Sequence, residues 1–210
     1  MHIKNHKLHS DTGEPVATVR SPNQGGTLTA RYLVMHYTAG SSAESSIRHL
    51  TKKEARASAH LVIGRDGGIT QLVPFNRVAW HAGRSRWQEL IGLNQHSMGI
   101  ELDNAGPLEG GAGQWRAWFG RIYPDEDVVV AAHKFDRIER GWHRYSEAQI
   151  AAALEAAEAI VARYGLIDVL GHDDIAPERK QDPGPAFPME NFRSHLIGRA
   201  DDDFELFQTT

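Results

Sequence analysis

The sequence contains no cysteine, which excludes disulfide bonds and any metal site built from thiolates. A zinc ion in this protein would therefore be held by histidine and carboxylate side chains, and the chain carries 12 histidines. A block of basic residues is also missing. Together with the formal net charge of -4, this argues against nucleic acid or an anionic membrane as a partner.

Long apolar runs are absent as well. The N-terminal sequence MHIKNHKLHSDTGEP is polar where a secretory signal would be apolar, and no run elsewhere is long enough to span a bilayer. We therefore expect no membrane insertion and a cytoplasmic location. A periplasmic protein or a released lysin is the alternative, because a mature form without its leader would look the same. A chain of 210 residues fits one domain, and we expect a monomer.

The pattern of apolar residues predicts a single α/β domain with a central mixed β-sheet flanked by helices. Residues 1–30 are expected to form an irregular N-terminal arm, 31–200 the folded domain and 201–210 a tail. Strands are predicted at 31–37, 60–64, 69–74, 97–103 and 168–170, the second and third as a hairpin. Helices are predicted from Ser41 to about Arg56, after Ser146, and near 189–197. Residues 104–145 show no clear period and are predicted to be an insertion or lid.

Two polar residues stand inside strands that are otherwise apolar, His36 in LVMHY and Glu101 in MGIEL. Burying such groups costs several kcal/mol unless they are paired, lie beside a metal or line a cavity. They are therefore candidate functional residues. The alternatives are a core histidine bonded to backbone and a glutamate that faces solvent on an edge strand.

A second candidate region is the segment VLGHDDIAPERKQDPGPAFP, residues 169–188. Its prolines and glycines fix the direction of the backbone without forming helix or strand, so the segment reads as a shaped loop. A histidine with nearby acids on a rigid loop suggests a metal site or an acid/base pair. A solvated charged loop explains this segment equally well when it is taken alone.

Four stretches of the chain, in order along it, carry a family resemblance: LVMHYTAG (33–40), SAHLVIGRDGGITQLVPFNRVAWHAGRS (58–85), NQHSMGIELDNAG (94–106) and GHDDIAPERKQDPGPAF (171–187). Together they resemble the zinc-dependent N-acetylmuramoyl-L-alanine amidases of the Amidase_2 family, whose fold is shared with phage amidases and peptidoglycan recognition proteins. The resemblance covers about residues 31–197. Residues 104–145 do not follow the family pattern.

The resemblance implies roles for five residues. The zinc ligands fall on His36, His172 and Asp182, a set that leaves the fourth tetrahedral position open for water, as in catalytic zinc sites. Glu101 falls on the catalytic acid and Lys180 on a residue that stabilises the oxyanion at the attacked carbonyl. For Lys180 the alternative is an ordinary surface lysine.

The resemblance also implies a substrate groove. Trp80 and His81 match a groove-lining motif, and Asn94 is a further candidate for substrate binding. A core aromatic is the alternative for Trp80, and a role in ordering the loop is the alternative for Asn94. Asp173 and Asp174, with Glu178, are interpreted as turn and cap residues. No catalytic role is predicted for the other histidines, which are His2, His6, His9, His49, His60, His96, His133, His143 and His195.

The activity implied by the resemblance is hydrolysis of the amide between the lactyl group of N-acetylmuramic acid, or its anhydro form, and L-alanine of the stem peptide. The substrate would be peptidoglycan or a muropeptide, and the enzyme would serve either recycling or lysis. Two alternatives are a protein that binds peptidoglycan without cutting it and a zinc peptidase that acts on another bond of the stem peptide.

Overall fold

The computed structural model describes residues 1–198, so the predicted tail at 201–210 lies outside the described residues. The strands are β1 (His2–Lys4), β2 (Lys7–His9), β3 (Ala17–Thr18), β4 (Gln24–Thr27), β5 (Tyr32–Tyr37), β6 (Leu61–Ile63), β7 (Ile69–Gln71), β8 (Arg77–Ala79), β9 (Arg86–Trp87), β10 (Leu90–Ile91), β11 (Ser97–Leu102), β12 (Pro107–Leu108), β13 (Trp115–Arg116), β14 (Ile122–Tyr123), β15 (Val128–Ala132), β16 (Glu139–His143) and β17 (Asp168–Gly171). The helices are α1 (Ala43–Leu50), α2 (Glu147–Tyr164), α3 (His172–Ile175) and α4 (Met189–Ile197), with 3₁₀ turns at Lys53–Ala55, Leu93–Gln95 and Asp125–Asp127.

The central sheet has the strand order β17-β5-β11-β6-β7-β3. Strands β17, β5, β11 and β6 run parallel to one another. Strand β7 returns antiparallel to β6, which confirms the predicted hairpin, and β3 lies parallel to β7 at the edge. The sheet is therefore mixed, as predicted. The carboxyl ends of these four parallel strands meet at one edge, where ligands bind in open α/β sheets.

The two faces of the sheet carry different cores, because side chains alternate along a strand. Leu33 and Met35 of β5 pack in the main core with residues of α2 and α4. Tyr32 and Val34 point the other way, into a smaller cluster. Because side chains alternate along β5, His36 lies on the same face of the sheet as Tyr32 and Val34, which is the face opposite α2.

Helix α2 was predicted from its capping residues and is confirmed. The Ser146 side chain accepts a hydrogen bond from the Gln149 amide, and Gly165 closes the helix with φ of 62°. Helix α1 differs from its prediction at both ends. Its N-cap is Ser42, which accepts from the Ser45 amide, and it ends at Leu50 instead of continuing towards Arg56. A 3₁₀ turn follows and closes on Arg56, which has a left-handed backbone.

The prediction of an irregular N-terminal arm is wrong, because residues 1–30 hold four short strands. Strands β1 and β2 form a hairpin, β3 extends the central sheet and β4 pairs with β8. Leu8 is fully buried in the main core, and its amide donates to the Gln71 side chain. Strands of two to four residues are too short to produce a visible sequence period.

Residues 104–145 also contain regular structure. Strands β12, β16 and β15 form a three-stranded sheet, and β13 pairs with β14 in a separate hairpin. Trp142 is buried in this region, and Leu108 and Tyr123 belong to a local core. The segment is thus a small β-subdomain attached after β11. Among residues 1–198, the model has no helix with the length and apolar character that a membrane crossing requires.

Candidate active site

Three buried side chains meet at the carboxyl edge of the sheet. His36 Nδ1, His172 Nδ1 and the Asp182 Oδ2 lie 2.9 Å from one another in all three pairs. These are the three residues predicted as metal ligands, and the fold brings them together from positions 36, 172 and 182. The geometry alone makes them a group that could hold one metal ion.

The outer hydrogen bonds of His36 fix which of its nitrogens faces this group. His81 Nε2 lies 3.2 Å from the Ser97 carbonyl oxygen, which can only accept, so this nitrogen of His81 carries the proton. Burial, followed by the neighbouring His36 and His60, holds the pKa of His81 well below its usual value, so the ring is neutral and its Nδ1 is an acceptor. His36 Nε2, 2.9 Å from that atom, must donate.

The same reasoning leaves three acceptors facing one another. Burial and the nearby His172 lower the pKa of His36 to about 4, so neutral His36 presents a lone pair at Nδ1. His172 Nε2 donates to the Ala82 carbonyl at 3.0 Å, which leaves Nδ1 as the His172 atom that faces the group. Burial alone would raise the pKa of Asp182, but the two adjacent imidazole rings hold that pKa well below its usual range, so its Oδ2 is an acceptor as well. Three lone pairs this close suit a bound cation.

Local backbone structure places the second and third ligands. His172 is the first residue of α3, directly after β17, and Asp182 lies ten residues further along the loop. The Asp173 amide donates to the Asp182 carbonyl at 2.8 Å, which ties the two ends of this loop together. Gly171 is needed at the junction, because an added Cβ would lie 2.9 Å from Pro183 Cδ and would collide with the Asp173 carboxylate.

Charged residues from the β-subdomain hold this loop from outside. His133 Nε2 lies 3.0 Å from Asp173 Oδ2, and Lys134 Nζ lies 2.9 Å from Asp173 Oδ1. Asp174 is an ion-pair partner of Lys134 and Arg193, and it accepts from the Gly171 amide at 2.7 Å. The cap role predicted for Asp174 is therefore confirmed. The contribution of His133 and Lys134 was missed, because the subdomain has no sequence period that would place them near the ligands.

Glu101 lies beside the ligand group. It is the partner of His36 in the parallel pairing of β11 with β5, so both side chains leave the sheet on the same face. Its Oε2 is buried and has no hydrogen-bond partner among residues 1–198. Burial, and then the charge of Asp182, raises the pKa of Glu101 well above its usual value, while Lys180 opposes the shift. Glu101 therefore keeps its proton to a higher pH than an exposed glutamate does.

An open cavity of about 510 Å³ covers this region. Its lining includes Glu101, His172 and Asp182 together with Lys180, which is half-buried, so the structure places Lys180 at the site. Trp80 also lines the cavity, and with 37% of its surface exposed it is not a core aromatic. Its role in substrate binding stays a prediction.

The other two residues predicted to bind substrate, His81 and Asn94, use their polar side-chain atoms in hydrogen bonds within the protein. His81 borders the cavity, but its two ring nitrogens bond to His36 and the Ser97 carbonyl, a supporting role that the sequence did not indicate. The Asn94 amide oxygen accepts from the backbone amides of His81 and Ala82 at 2.9 and 2.7 Å. The structure thus supports the alternative in which Asn94 orders the loop.

Comparisons with known proteins agree with this geometry. The model of the Amidase_2 family, described as N-acetylmuramoyl-L-alanine amidase, matches residues 26–185. N-acetylmuramoyl-L-alanine amidase AmiD of Escherichia coli K12 is 36% identical over 177 residues, which are 80% of this chain and 54% of that protein. The 1,6-anhydro-N-acetylmuramyl-L-alanine amidase AmpD of Citrobacter freundii is 35% identical over 141 residues, 66% of this chain and 57% of that protein. The chain thus spans a little over half the length of both relatives.

Solved structures show the same fold. A selenomethionine derivative of AmpD superposes with a TM-score of 0.64 and 26% identity, covering 94% of this chain and 99% of that one. AmiD of Escherichia coli, in complex with its substrate anhydro-N-acetylmuramic acid-L-Ala-D-γ-Glu-L-Lys, superposes with a TM-score of 0.62 and 31% identity, covering 93% of this chain and 68% of that one. By sequence and by fold, this chain belongs to the Amidase_2 family of N-acetylmuramoyl-L-alanine amidases.

Proposed function

We propose that this protein is a zinc-dependent N-acetylmuramoyl-L-alanine amidase. It hydrolyses the amide that joins the lactyl group of N-acetylmuramic acid, or of the anhydro form, to L-alanine of the stem peptide. The observation that carries the proposal is the convergence of three acceptor atoms at 2.9 Å, next to a buried carboxyl group with a raised pKa, in an open groove. Family membership supplies the substrate class.

Zinc suits the ligand set, because two imidazole nitrogens and one carboxylate are a common catalytic zinc site. When bound, the ion would polarise the attacked carbonyl and lower the pKa of a water molecule from 15.7 to about 7. His36, His172 and Asp182 would hold it, each through the atom that faces the group. A neutral pair of histidines with one carboxylate also leaves the centre with net positive charge, which attracts a developing oxyanion.

Glu101 would transfer a proton from the attacking water to the leaving group. Its carboxyl group is close to the ligands and has no competing hydrogen-bond partner on Oε2 among residues 1–198, so it is available to a water molecule or a substrate amide. Glu101 accepts the proton of the attacking water and passes it to the nitrogen of the leaving L-alanine. A carboxyl group with a raised pKa suits this exchange, because its two protonation states are closer in energy at neutral pH.

Lys180 would stabilise negative charge on the carbonyl oxygen during attack. It borders the same cavity as Glu101 and His172, and its charge lowers the pKa values of both His36 and Glu101, so it lies close to the reacting region. A fixed cation beside the developing oxyanion lowers the barrier without taking part in proton transfer.

Muropeptides are the proposed substrates. AmiD of Escherichia coli binds an anhydromuramoyl tripeptide, and AmpDh3 of Pseudomonas aeruginosa has been solved with an anhydromuramic pentapeptide. The groove of this chain is open, which would admit either a soluble muropeptide or a longer glycan. We therefore propose both as substrates to be compared directly.

The test is to incubate the purified protein with an anhydromuramoyl tripeptide and with intact sacculi, with and without a chelator, and to identify products by mass spectrometry. We expect free stem peptide that disappears with the chelator and returns with zinc. Glu101→Gln is the matched control and should bind zinc without releasing peptide. Binding without release in the wild type would make this a recognition protein, and cleavage at another bond would make it a peptidase.

A further inference from the structure

An exposed tryptophan of the β-subdomain lies at the rim of the active-site groove. Trp118 sits in the tip that joins β13 to β14, and 76% of its surface is exposed. It is nevertheless fixed in place, because its indole N–H donates to the Ala39 carbonyl at 2.7 Å and its ring packs edge-on against Phe119. Ala39 follows the metal ligand His36 by three residues, so the ring is anchored to the backbone of the active site.

Trp118 lines a second cavity, of about 440 Å³, that continues the first one. Both cavities are bordered by Glu101, and they also share residues of the segment that follows β5 and of helix α1. The groove therefore has two arms that meet at Glu101. One arm leads to Lys180 and Arg179, and the other leads to Trp118.

The two arms differ in chemistry. The arm towards Lys180 carries two cations, Arg179 and Lys180, beside Gln181, Tyr37 and Trp80. Apart from Glu101 and a histidine, the arm towards Trp118 is lined by apolar groups and hydroxyls, the latter from Thr38, Ser41, Ser45 and Ser46. An aromatic face bordered by hydroxyl groups fits a molecule with an apolar C–H face and a rim of hydroxyls, which describes a sugar ring.

The proposed substrate also has two different halves, joined at the bond to be cut. The peptide half carries a carboxylate on γ-linked glutamate, which complements the charge of Arg179, whereas the sugar half is uncharged. The scissile amide must lie over Glu101, so the halves extend into opposite arms. We infer that Trp118 is a stacking platform for the sugar ring of the substrate. This inference rests on the proposed amidase function and deepens it.

The test compares two substrates, an anhydromuramoyl tripeptide and a sugar-free lactyl tripeptide that contains the same scissile amide. Replacing Trp118 by Ala should lower kcat/KM on the first by about tenfold, mainly through KM, because the sugar ring loses its stacking partner. Activity on the sugar-free substrate should not change. Ile167→Ala, an exposed apolar residue just before β17 at the other end of the sheet, is the control and should leave both activities unchanged.

Equal losses on the two substrates would mean that Trp118 acts only by supporting the Ala39 backbone, and no loss on either would mean that it makes no contact. Either result overturns the inference while leaving the amidase function standing. A binding experiment separates the two proposals further. N-acetylmuramic acid should shift the indole N–H resonance of Trp118 in NMR spectra, and the free tripeptide should not. A shift of the Trp118 resonance together with no amidase activity would refute the proposed function alone. No shift of that resonance would refute the role of Trp118 as a platform for the sugar.

Discussion

The hydrogen bond from His36 to His81 gives the most discriminating prediction about the metal centre. His81 Nδ1 is the acceptor that obliges His36 to carry its proton on Nε2, 2.9 Å away, and so to turn a lone pair towards Asp182 and His172. Replacing His81 by Leu removes that acceptor. His36 is then free to carry the proton on Nδ1, where it opposes metal binding.

The expected cost follows from the general effect of such outer partners. Loss of a hydrogen bond to a ligand typically weakens metal affinity by 10- to 100-fold, which is about 1.4 to 2.7 kcal/mol. Zinc affinity measured by competition with a chromophoric chelator should fall by this factor in His81→Leu. NMR of ¹⁵N-histidine in the metal-free protein should show a mixture of His36 tautomers where the wild type shows one.

The matched variant is His81→Asn, because the asparagine side chain places an amide oxygen near the position of His81 Nδ1 and can accept from His36. Its zinc affinity should recover most of the loss. Gly99→Ala should disturb the same hydrogen bond between His36 and His81, since an added Cβ would lie 2.5 Å from His81 Cγ and displace the ring. Wild-type affinity in His81→Leu, or equal affinities in the Leu and Asn variants, would refute the tautomer argument.

Three further predictions concern the surroundings of the centre. Because the pKa of Glu101 is raised in the folded state, the folded protein keeps a proton that the unfolded chain releases above about pH 4.3. As the pH rises above that value, the metal-free wild type should therefore lose stability relative to Glu101→Gln, by at most roughly 1.4 kcal/mol per pH unit. Urea unfolding between pH 4 and pH 8 measures this, and parallel pH profiles would contradict it. Lys180→Ala should reduce kcat by about 100- to 1000-fold while zinc content stays at the wild-type level, and a matching loss of zinc would assign Lys180 to the metal site instead. His133→Ala should destabilise the protein by about 1 to 3 kcal/mol, because buried Asp173 loses one of its partners, whereas His195→Ala, which breaks an exposed pair with Glu158, should change stability by less than about 1 kcal/mol. Equal effects of the two histidine substitutions would show that the Asp173 contact contributes nothing.

The sequence was sufficient to predict the elements that repeat regularly. The long period of α2, with Ser146 and Gly165 at its ends, and the apolar runs of β5 and β11 predicted their positions closely. His36 and Glu101 were candidates because a polar side chain inside an apolar strand is costly to bury, whereas the roles of His172 and Asp182 as ligands came from the resemblance to the amidase family. The fold then confirmed that His36, His172 and Asp182 converge.

The remaining features depend on contacts between distant segments. Strands β3, β4 and β12 are only two to four residues long, and each pairs with a strand that lies far along the chain, namely β7, β8 and β16. The support that His133 and Lys134 give to Asp173 spans about forty residues and has no local pattern. The role of His81 depends on which proton each ring carries, and that becomes visible only when all the acceptors around it are known.

The pairing of Glu101 with His36 across two parallel strands determines which parts of the proposed active site can vary independently. The spacing between proton carrier and first ligand is set by the distance between hydrogen-bonded strands, about 4.8 Å in any sheet, and no loop contributes to it. Trp118, by contrast, is carried on a hairpin tip that is added after β11 and touches the centre through one backbone carbonyl. Replacing that hairpin should therefore change binding of the sugar half of the proposed substrate while the proposed cleavage step is preserved.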